Sequence, residues 1–297
     1  MTLDTAFELP LAFPKNLDRI LVPPIKCQGI KTKLVRSILS SIKWDGEGKW
    51  LEPFLGSGVV LFNALPRRAL GSDTNKHVIE FYKSLQSGKM TPRDVREYLE
   101  DQKQQLEKGD GPYYYEIRKR FNSKGNSFDF LFLSRACFNG VMRFNSRGEF
   151  NVPYNHKPKR FSKAYVTKIV NQVTQVSRIL EGRDWEFKTC DYKSALEEAQ
   201  PVDFAYLDPP YPQRHNDYYN KWSGDDVHEL ARATRELPCG FALSLWKENV
   251  FRKNDSIEAN WLNFPTKTFS HFYHVGSKEK LRHAMEEALI IKPGFEA

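Results

Sequence analysis

The segment AYLDPPYPQ, residues 205–213, combines residue types that can act together on a polar substrate. The run 202–207 before it is mostly apolar and rich in β-formers, which predicts a buried strand. Pro209 and Pro210 have no N–H to donate, so the strand is predicted to end near Asp208. Open α/β sheets bind ligands at the carboxyl ends of their strands, which is where this carboxylate would lie. A strand-ending turn with an incidental acid is the alternative interpretation.

A second candidate site lies in LEPFLGSGVVLFN, residues 51–63, which predicts a strand, a Gly-x-Gly turn and a helix. Gly56 and Gly58 would let the backbone bend tightly and approach a ligand closely, although a turn that binds nothing uses the same residues. Asp73 follows at the end of the next predicted strand. An acid at that point accepts hydrogen bonds from ribose hydroxyls in α/β nucleotide folds. This spacing fits a dinucleotide and an adenosine-type cofactor equally well.

These segments belong to a pattern of alternating strands and helices, which predicts a mostly parallel α/β sheet. Strands are predicted at 50–53, 67–73, 185–189, 202–207 and 240–245, and helices at 31–43, 165–180 and 224–236. Between about 76 and 161 the chain becomes richer in charged and polar residues. This part therefore reads as a module inserted into the sheet.

Composition narrows the class of protein. The chain has 297 residues, of which 40% are hydrophobic, enough for one large domain or two. No apolar stretch approaches the length of a membrane span, and the acidic, proline-punctuated start is unlike a signal peptide, so we expect a cytoplasmic protein. The cysteines lie far apart without a CxxC pair, which favours reduced thiols over a zinc site. A net charge of +8 favours a polyanionic partner, although an ordinary basic enzyme surface would look the same.

The order of the motifs, EPFLGSG, then Asp73, then DPPY at 208–211, resembles the Dam-type (class alpha, D12) DNA adenine-N6 methyltransferases. IKCQGIKTKL (25–34) resembles the family's N-terminal K-W-A-G-G-K element, and RACFNGVMRFNSRGEFNVPY (135–154) resembles its target-recognition segment. KEKLRHAMEEALIIKPG (278–294) resembles its C-terminal helix or strand and closing KPG. The resemblance covers roughly residues 25–294.

The resemblance implies a Rossmann-like, S-adenosylmethionine-dependent methyltransferase sheet formed by residues 1–75 and 162–297. It also implies an inserted, mainly helical target-recognition domain, residues 76–161, which contains a β-hairpin or loop. The cofactor-binding residues would be Cys27, Lys31, Phe54, Gly56, Gly58, Asp73, Asp191 and Asp208. Cys27 stands where the family often has an aromatic residue and Ile30 where it has a glycine, which puts one stacking contact with the cofactor in doubt.

The catalytic residues implied are Asp208, Pro209, Pro210 and Tyr211. Adenine's exocyclic amine is a poor nucleophile because its lone pair is delocalised into the ring. The Asp208 carboxylate and the Pro209 carbonyl would each accept one N–H and favour the pyramidal geometry that frees that lone pair, an effect that grows in the transition state. Tyr211 would stack on a base that has left the duplex. Methyl transfer from a sulfonium needs no metal, and we assign none, since packing explains His271 and His274 more simply.

The inserted module interleaves basic and aromatic side chains, which favours duplex DNA as the partner over a protein substrate. The family resemblance assigns the guanine reader to Arg143 and the wedge that fills the flipped base's place to Phe138. The full set of expected DNA contacts is Arg135, Phe138, Asn139, Val141, Arg143, Arg147 and Pro153.

Four functions remain open on the sequence. Adenine-N6 methylation of duplex DNA, with GATC as the first guess for the site, is favoured by the leading Asp of DPPY. The alternatives are cytosine-N4 methylation, a protein methyltransferase, and a DNA-binding module of the same fold that has lost catalysis. We expect a monomer in solution, and a cognate restriction endonuclease remains an open partner.

Overall fold

The computed structural model describes residues 13–156, 161–210, 222–249, 252–272 and 284–297. Tyr211 lies outside the described residues, and so does His274. The first half of the chain contains α1 (Val35–Ser40), β1 (Lys49–Glu52), α2 (Leu61–Ala64), β2 (Arg68–Asp73), α3 (Lys76–Gln86), α4 (Pro92–Lys124), α5 (Ser127–Ala136) and a 3-10 turn (Phe138–Gly140). The second half contains α6 (Lys163–Leu180), β3 (Asp184–Thr189), α7 (Tyr192–Leu196), β4 (Phe204–Leu207), α8 (Gly224–Glu236), β5 (Gly240–Asn249), β6 (Arg252–Lys253), α9 (Ser256–Trp261), β7 (Thr266–Phe272) and β8 (Ala284–Ile291).

One sheet organises these elements, in the order β3-β2-β1-β4-β5-β8-β7, with β6 paired to β5. The five strands from β3 to β5 are parallel, whereas β8 runs antiparallel to both β5 and β7. The predicted α/β sheet is thus confirmed, with an antiparallel extension at one side. Chain order reverses between β1 and β4, and doubly wound sheets bind ligands at such a switch point.

The central strands are apolar on both faces because helices cover both sides of the sheet. Trp50, Phe204 and Tyr206 belong to one hydrophobic cluster. Their neighbours Leu51 and Ala205 belong to the cluster on the other side. Side chains alternate across a strand, so residues two positions apart share a face.

Helix α1 is shorter than the predicted 31–43. Its last turn is closed by Ser41 Oγ, which donates to the Ser37 carbonyl at 2.6 Å. The chain then forms two isolated antiparallel bridges, Ile42 with Glu296 and Trp44 with Phe13. Tertiary pairing therefore overrides the helical periodicity. Helices α6 and α8 form over the predicted segments, and the C-terminal segment forms a strand, β8.

Between β2 and β3, the described residues form the α-helices α3 to α6 and one hairpin-like loop, residues 137–154, which includes the 3-10 turn. The loop is closed by antiparallel bridges between Cys137 and Tyr154 and between Phe144 and Phe150. Helix α4 begins with a capping box in which Thr91 and Asp94 bond each other's backbone N–H. Buried residues of α3 to α6 continue the cluster that covers one face of the sheet. The division into domains at 75/76 and 161/162 stays a prediction.

Candidate active site

Four strand ends converge at the carboxyl edge of the sheet. The glycine turn follows β1, Asp73 ends β2, Asp191 follows β3 and Asp208 follows β4. Parallel pairing in the order β3-β2-β1-β4 brings these ends side by side. The predicted positions of Asp73 and Asp208 at strand ends are therefore confirmed, whereas their roles stay predictions.

Asp208 forms an ion pair with Lys31, whose Nζ lies 2.8 Å from Oδ1. The Lys31 side chain is 2% exposed, whereas that of Asp208 is 22% exposed and forms the open side of the pair. Burial raises the pKa of Asp208 to about 6, Lys31 lowers it and the nearby Glu287 raises it. Pro209, the next residue, is buried. Lys31, expected at the cofactor, thus directly contacts the Asp208 carboxylate.

Two further buried acids surround this pair, and neither was identified from the sequence. Glu287 on β8 places Oε2 3.6 Å from Lys31 Nζ and is 2% exposed. Glu52 at the end of β1 accepts a hydrogen bond from Trp50 Nε1 at 3.0 Å. Burial raises the pKa of Glu52 to about 8, which keeps this carboxyl largely protonated at neutral pH. The signal that could have identified Glu287 was an acid within the otherwise apolar strand AMEEALII.

The glycine turn is tied to Asp73. Gly56 N donates to Asp73 Oδ2 at 2.8 Å, and Asn75 N donates to Oδ1 at 2.8 Å. Gly56 and Gly58 both have positive φ, +49° and +65°, which favours glycine. A Cβ on Gly58 would also come within 3.0 Å of the Phe62 ring. Asp73 therefore holds the turn in addition to any contact with a ligand.

An aromatic wall stands beside the turn. Phe54 stacks on Tyr192 at 5.5 Å and meets Trp222 edge-on at 5.7 Å. Among the described residues, Tyr192 Oη and Trp222 Nε1 are buried without a hydrogen-bond partner. Buried polar atoms are normally paired, so these two atoms are candidates for hydrogen bonds to a polar ligand. Trp222 was not identified from the sequence, because nothing before the fold linked it to Phe54.

Two of the predicted cofactor residues have local structural roles. The Asp191 carboxylate caps α7 by accepting from Ser194 N at 2.9 Å. Cys27 lies beside the glycine turn, where a Cβ built on Gly56 would approach its Sγ to 4.0 Å. Burial raises the pKa of the Cys27 thiol, which keeps it protonated. Cys27 therefore borders the turn as a small neutral side chain.

The hairpin-like loop carries most of the predicted DNA contacts. Phe138 is 51% exposed, and Asn139 next to it adopts positive φ, +54°. Arg143 Nε donates to Asn151 Oδ1 at 2.8 Å, which holds its guanidinium against the loop. Arg147 at the tip pairs with Glu149. The remaining predicted contacts on this loop are the exposed Pro153 and the half-buried Val141.

Arg135 is a correction, because the structure buries it at 3% exposure within the last turn of α5. Its Nε donates to the Pro24 carbonyl at 2.6 Å, and an Nη donates to Gln172 Oε1 at 2.7 Å. A guanidinium enclosed in this way cannot reach DNA without unfolding its surroundings. Arg135 therefore joins α5 to α6 and to the N-terminal segment.

Comparison with known proteins adds independent information. A family model described as D12 class N6 adenine-specific DNA methyltransferase matches residues 28–282. The chain is 30% identical over 239 residues to the Type II methyltransferase M.MjaIII of Methanocaldococcus jannaschii, covering 72% of this chain and 80% of that protein. It is 29% identical over 234 residues to the DNA adenine methylase of Haemophilus influenzae, covering 76% of each.

Two further similarities are to a phage protein and to a solved structure. The DNA N-6-adenine-methyltransferase of Escherichia phage P1 is 34% identical over 188 residues, which are 61% of this chain and 23% of the phage protein. Among solved structures, the rRNA methyltransferase aviRa from Streptomyces viridochromogenes aligns at 12% identity with a TM-score of 0.35, covering 88% of this chain and 82% of that one.

Proposed function

This chain belongs to the D12 class of N6 adenine-specific DNA methyltransferases, and from that premise we propose that it transfers a methyl group from S-adenosylmethionine to an adenine flipped out of duplex DNA. The observation that carries this proposal is the partly exposed Asp208 carboxylate at the tip of β4, held by Lys31 and followed by the Pro209 carbonyl. An acceptor pair at a strand tip suits an exocyclic amine with two N–H groups.

The residues beside Asp208 fit this cofactor. The aromatic wall of Phe54, Tyr192 and Trp222 suits an adenine ring, and the two buried polar atoms on it offer hydrogen bonds to ring nitrogens or the ring amine. Asp73 suits the ribose hydroxyls, since a carboxylate oxygen can accept more than the one N–H it already holds. When bound, S-adenosylmethionine supplies an electrophilic methyl group on a sulfonium.

The chain's own residues act on the nucleophile. Asp208 accepts one amine hydrogen and the Pro209 carbonyl accepts the other, which orients the nitrogen lone pair. Positive charge develops on this nitrogen as the N–C bond forms and the S–C bond breaks, so both contacts strengthen in the transition state. Lys31 holds Asp208 in place through Oδ1, and Oδ2 then serves the substrate.

The hairpin-like loop would supply recognition of the duplex. Phe138 is the exposed aromatic side chain that can fill the space left by a flipped base, and Arg143 is the candidate for bidentate contact with a guanine. A GATC-like site is the proposed target. A monomeric state, a cytoplasmic location and a cognate endonuclease stay predictions.

One experiment tests this function directly. The gene is expressed in cells that lack adenine methylation, and their DNA is analysed by nucleoside mass spectrometry and by modification-detecting sequencing. We expect N6-methyladenine at one short sequence, and none with the Asp208→Ala variant. N4-methylcytosine would instead support the cytosine alternative. Absence of both, together with failure to bind S-adenosylmethionine in a calorimetric titration, would support the inactive module.

A calorimetric cycle tests the role proposed for Asp73. Wild type and Asp73→Asn are each titrated with the demethylated cofactor and with its 2′-deoxyribose analogue. If Asp73 binds the ribose, wild type binds the 2′-deoxyribose analogue more weakly than the demethylated cofactor, whereas the variant binds the two ligands equally. If Asp73 only holds Gly56, both proteins discriminate equally between the two ligands.

A further inference from the structure

We propose that Glu287 is a positioning residue for Asp208, acting through the shared Lys31 ammonium. This inference rests on the proposed function, because it assigns a role within the same site. Glu287 belongs to the antiparallel part of the sheet and was not among the site residues predicted from the sequence.

The alternation of side chains brings three acids to one face of the sheet. Glu52 lies two positions after Trp50 on β1, and Asp208 lies two positions after Tyr206 at the end of β4. Glu287 lies two positions before Leu289 on β8. Trp50, Tyr206 and Leu289 all belong to the same hydrophobic cluster, so the three acids share its face.

Lys31 reaches this face from the segment before α1. Its Nζ lies 2.8 Å from Asp208 Oδ1 and 3.6 Å from Glu287 Oε2. The ammonium and the Glu287 carboxylate are both 2% exposed, and only Asp208 opens toward solvent. The ammonium therefore lies between two carboxylates, that of Asp208 at the open side and that of Glu287 buried within the sheet.

The position of Glu287 is costly for any purely structural role. In the sheet register it stands opposite Trp246 on β5 and Phe269 on β7. A carboxylate placed there must be compensated, and an apolar residue of similar size would serve packing at least as well. Lys31 Nζ also donates to the Gly29 carbonyl at 3.2 Å, and what Glu287 adds is a second negatively charged anchor. With two anchors the ammonium stays on the Oδ1 side of Asp208 and competes less for the lone pairs that the substrate needs.

The charges around Asp208 define the expected pH behaviour. Lys31, Glu52 on β1, Tyr206 on β4 and Glu287 on β8 face it among the described residues. Glu287 raises the pKa of Asp208 and Lys31 lowers it. Removing the negative charge of Glu287 therefore stabilises ionised Asp208, which makes it a weaker hydrogen-bond acceptor and moves its protonation to lower pH.

The test compares Glu287→Gln with Glu286→Gln, a matched control. Glu286 is the adjacent residue on β8 and also pairs with a lysine, Lys247, at 3.1 Å. Single-turnover methylation is measured against pH with saturating cofactor and duplex. For Glu287→Gln we expect about a tenfold slower rate at pH 8 and an acidic midpoint about half a pH unit lower or more. Cofactor and DNA dissociation constants should stay within about threefold, and the control should match wild type.

Two outcomes would overturn the proposal. One is a wild-type rate and midpoint in Glu287→Gln. The other is a slower rate with an unmoved midpoint and weakened cofactor binding, which would assign Glu287 to the cofactor pocket or the fold. If Glu287→Gln does not fold, Glu287→Asp retains the charge but retracts it from Lys31. That variant should keep the wild-type acidic midpoint and methylate more slowly, and an unchanged rate would contradict the proposal.

A readout without substrate separates this inference from the proposed function. The carboxyl carbon of Asp208 is titrated by NMR in wild type and Glu287→Gln, with Asp208→Asn used for assignment. A lower midpoint in the variant supports the coupling even if the wild type methylates no DNA. Equal midpoints refute it even if the wild type is an active methyltransferase.

Discussion

Replacing Asp208 by Asn is the most discriminating perturbation of the site, because it keeps the size of the side chain while it removes the negative charge and exchanges one acceptor for a donor. Lys31 Nζ lies 2.8 Å from Oδ1 and requires an oxygen there. The amide must therefore turn its Oδ1 toward Lys31 and its NH2 toward the open side. A donor then faces the N–H of the adenine amine where an acceptor is needed.

The magnitude follows from the lost acceptor. Removing one preorganised group that stabilises developing charge costs about 3–4 kcal/mol, or about 10²–10³ in rate. The NH2 at the open side adds repulsion against the substrate's N–H, so Asn should be at least as damaging as Ala. Binding of DNA should change little, since the contact of this oxygen with the amine strengthens mainly in the transition state.

The assay is transfer of a labelled methyl group in a single turnover, from a preformed complex of enzyme, cofactor and duplex. Asp203→Asn is the matched control. It alters a buried acid at the start of the same strand, whose oxygens accept from Lys49 N at 2.7 Å and Gln200 N at 2.9 Å. The control should lower stability and leave the rate per folded molecule unchanged. An Asp208→Asn enzyme that keeps more than about a tenth of the wild-type rate would refute the acceptor role.

Four further predictions concern pH, recognition, the fold and the cofactor. Because the raised pKa of Asp208 is about 6 and the ionised form is the acceptor, the single-turnover rate should fall as pH drops through about 6 and level off above it. Arg143→Ala should lose about 1–3 kcal/mol of discrimination at one base pair, measured by methylation of every single-base variant of the site at fixed salt, whereas Arg147→Ala should change all sites alike. Arg135→Met should lower the free energy of unfolding by about 1.5–3 kcal/mol in a urea titration, because it leaves buried acceptors unpaired, and should keep the sequence preference. Trp222→Phe should weaken cofactor binding several-fold in calorimetry, about 1 kcal/mol, by removing the buried indole N–H.

Each of these four predictions has a result that would contradict it. A single-turnover rate that stays constant from about one pH unit below the expected midpoint to about one unit above it would show that ionisation of Asp208 does not control the rate. Uniform weakening by Arg143→Ala, with a salt slope smaller by about one, would assign this arginine to a phosphate. If Arg135→Met has wild-type stability, the hydrogen bonds of Arg135 to Pro24 and Gln172 do not contribute measurably to the free energy of unfolding. An unchanged cofactor affinity in Trp222→Phe would remove the indole from the site.

The sequence was informative where local chemistry decides the structure. Prolines after Asp208 end β4, glycines with positive φ shape the turn after β1, and β2 ends at the acid Asp73. These features follow from backbone geometry within a few residues. The parallel sheet then places them together without further information.

The remainder depended on packing between distant segments. Nothing in the run 31–43 shows that Trp44 will bridge to Phe13 and that α1 will stop at Ser40. Arg135 looked like its neighbours in a basic, aromatic stretch, and only the position of α5 against Pro24 shows that it is enclosed. Glu287 required the register of β8 on β5 before its link to Lys31 became visible.

The pairing of the central strands has a consequence for how the chain reaches its native state. Arg68 on β2 pairs with Asp184 on β3, and Trp50 on β1 pairs with Phe204 on β4, so these contacts close very long loops. The helices α3 to α5 between them are rich in local contacts. Local structure forms faster than pairings that must first overcome loop-closure entropy. On a ribosome, the helical segment would therefore be complete while β1 and β2 still wait for the partners that bury them. Until β4 is synthesised, the apolar edge of β1 stays available to other chains, which makes this interval the one in which aggregation competes with folding.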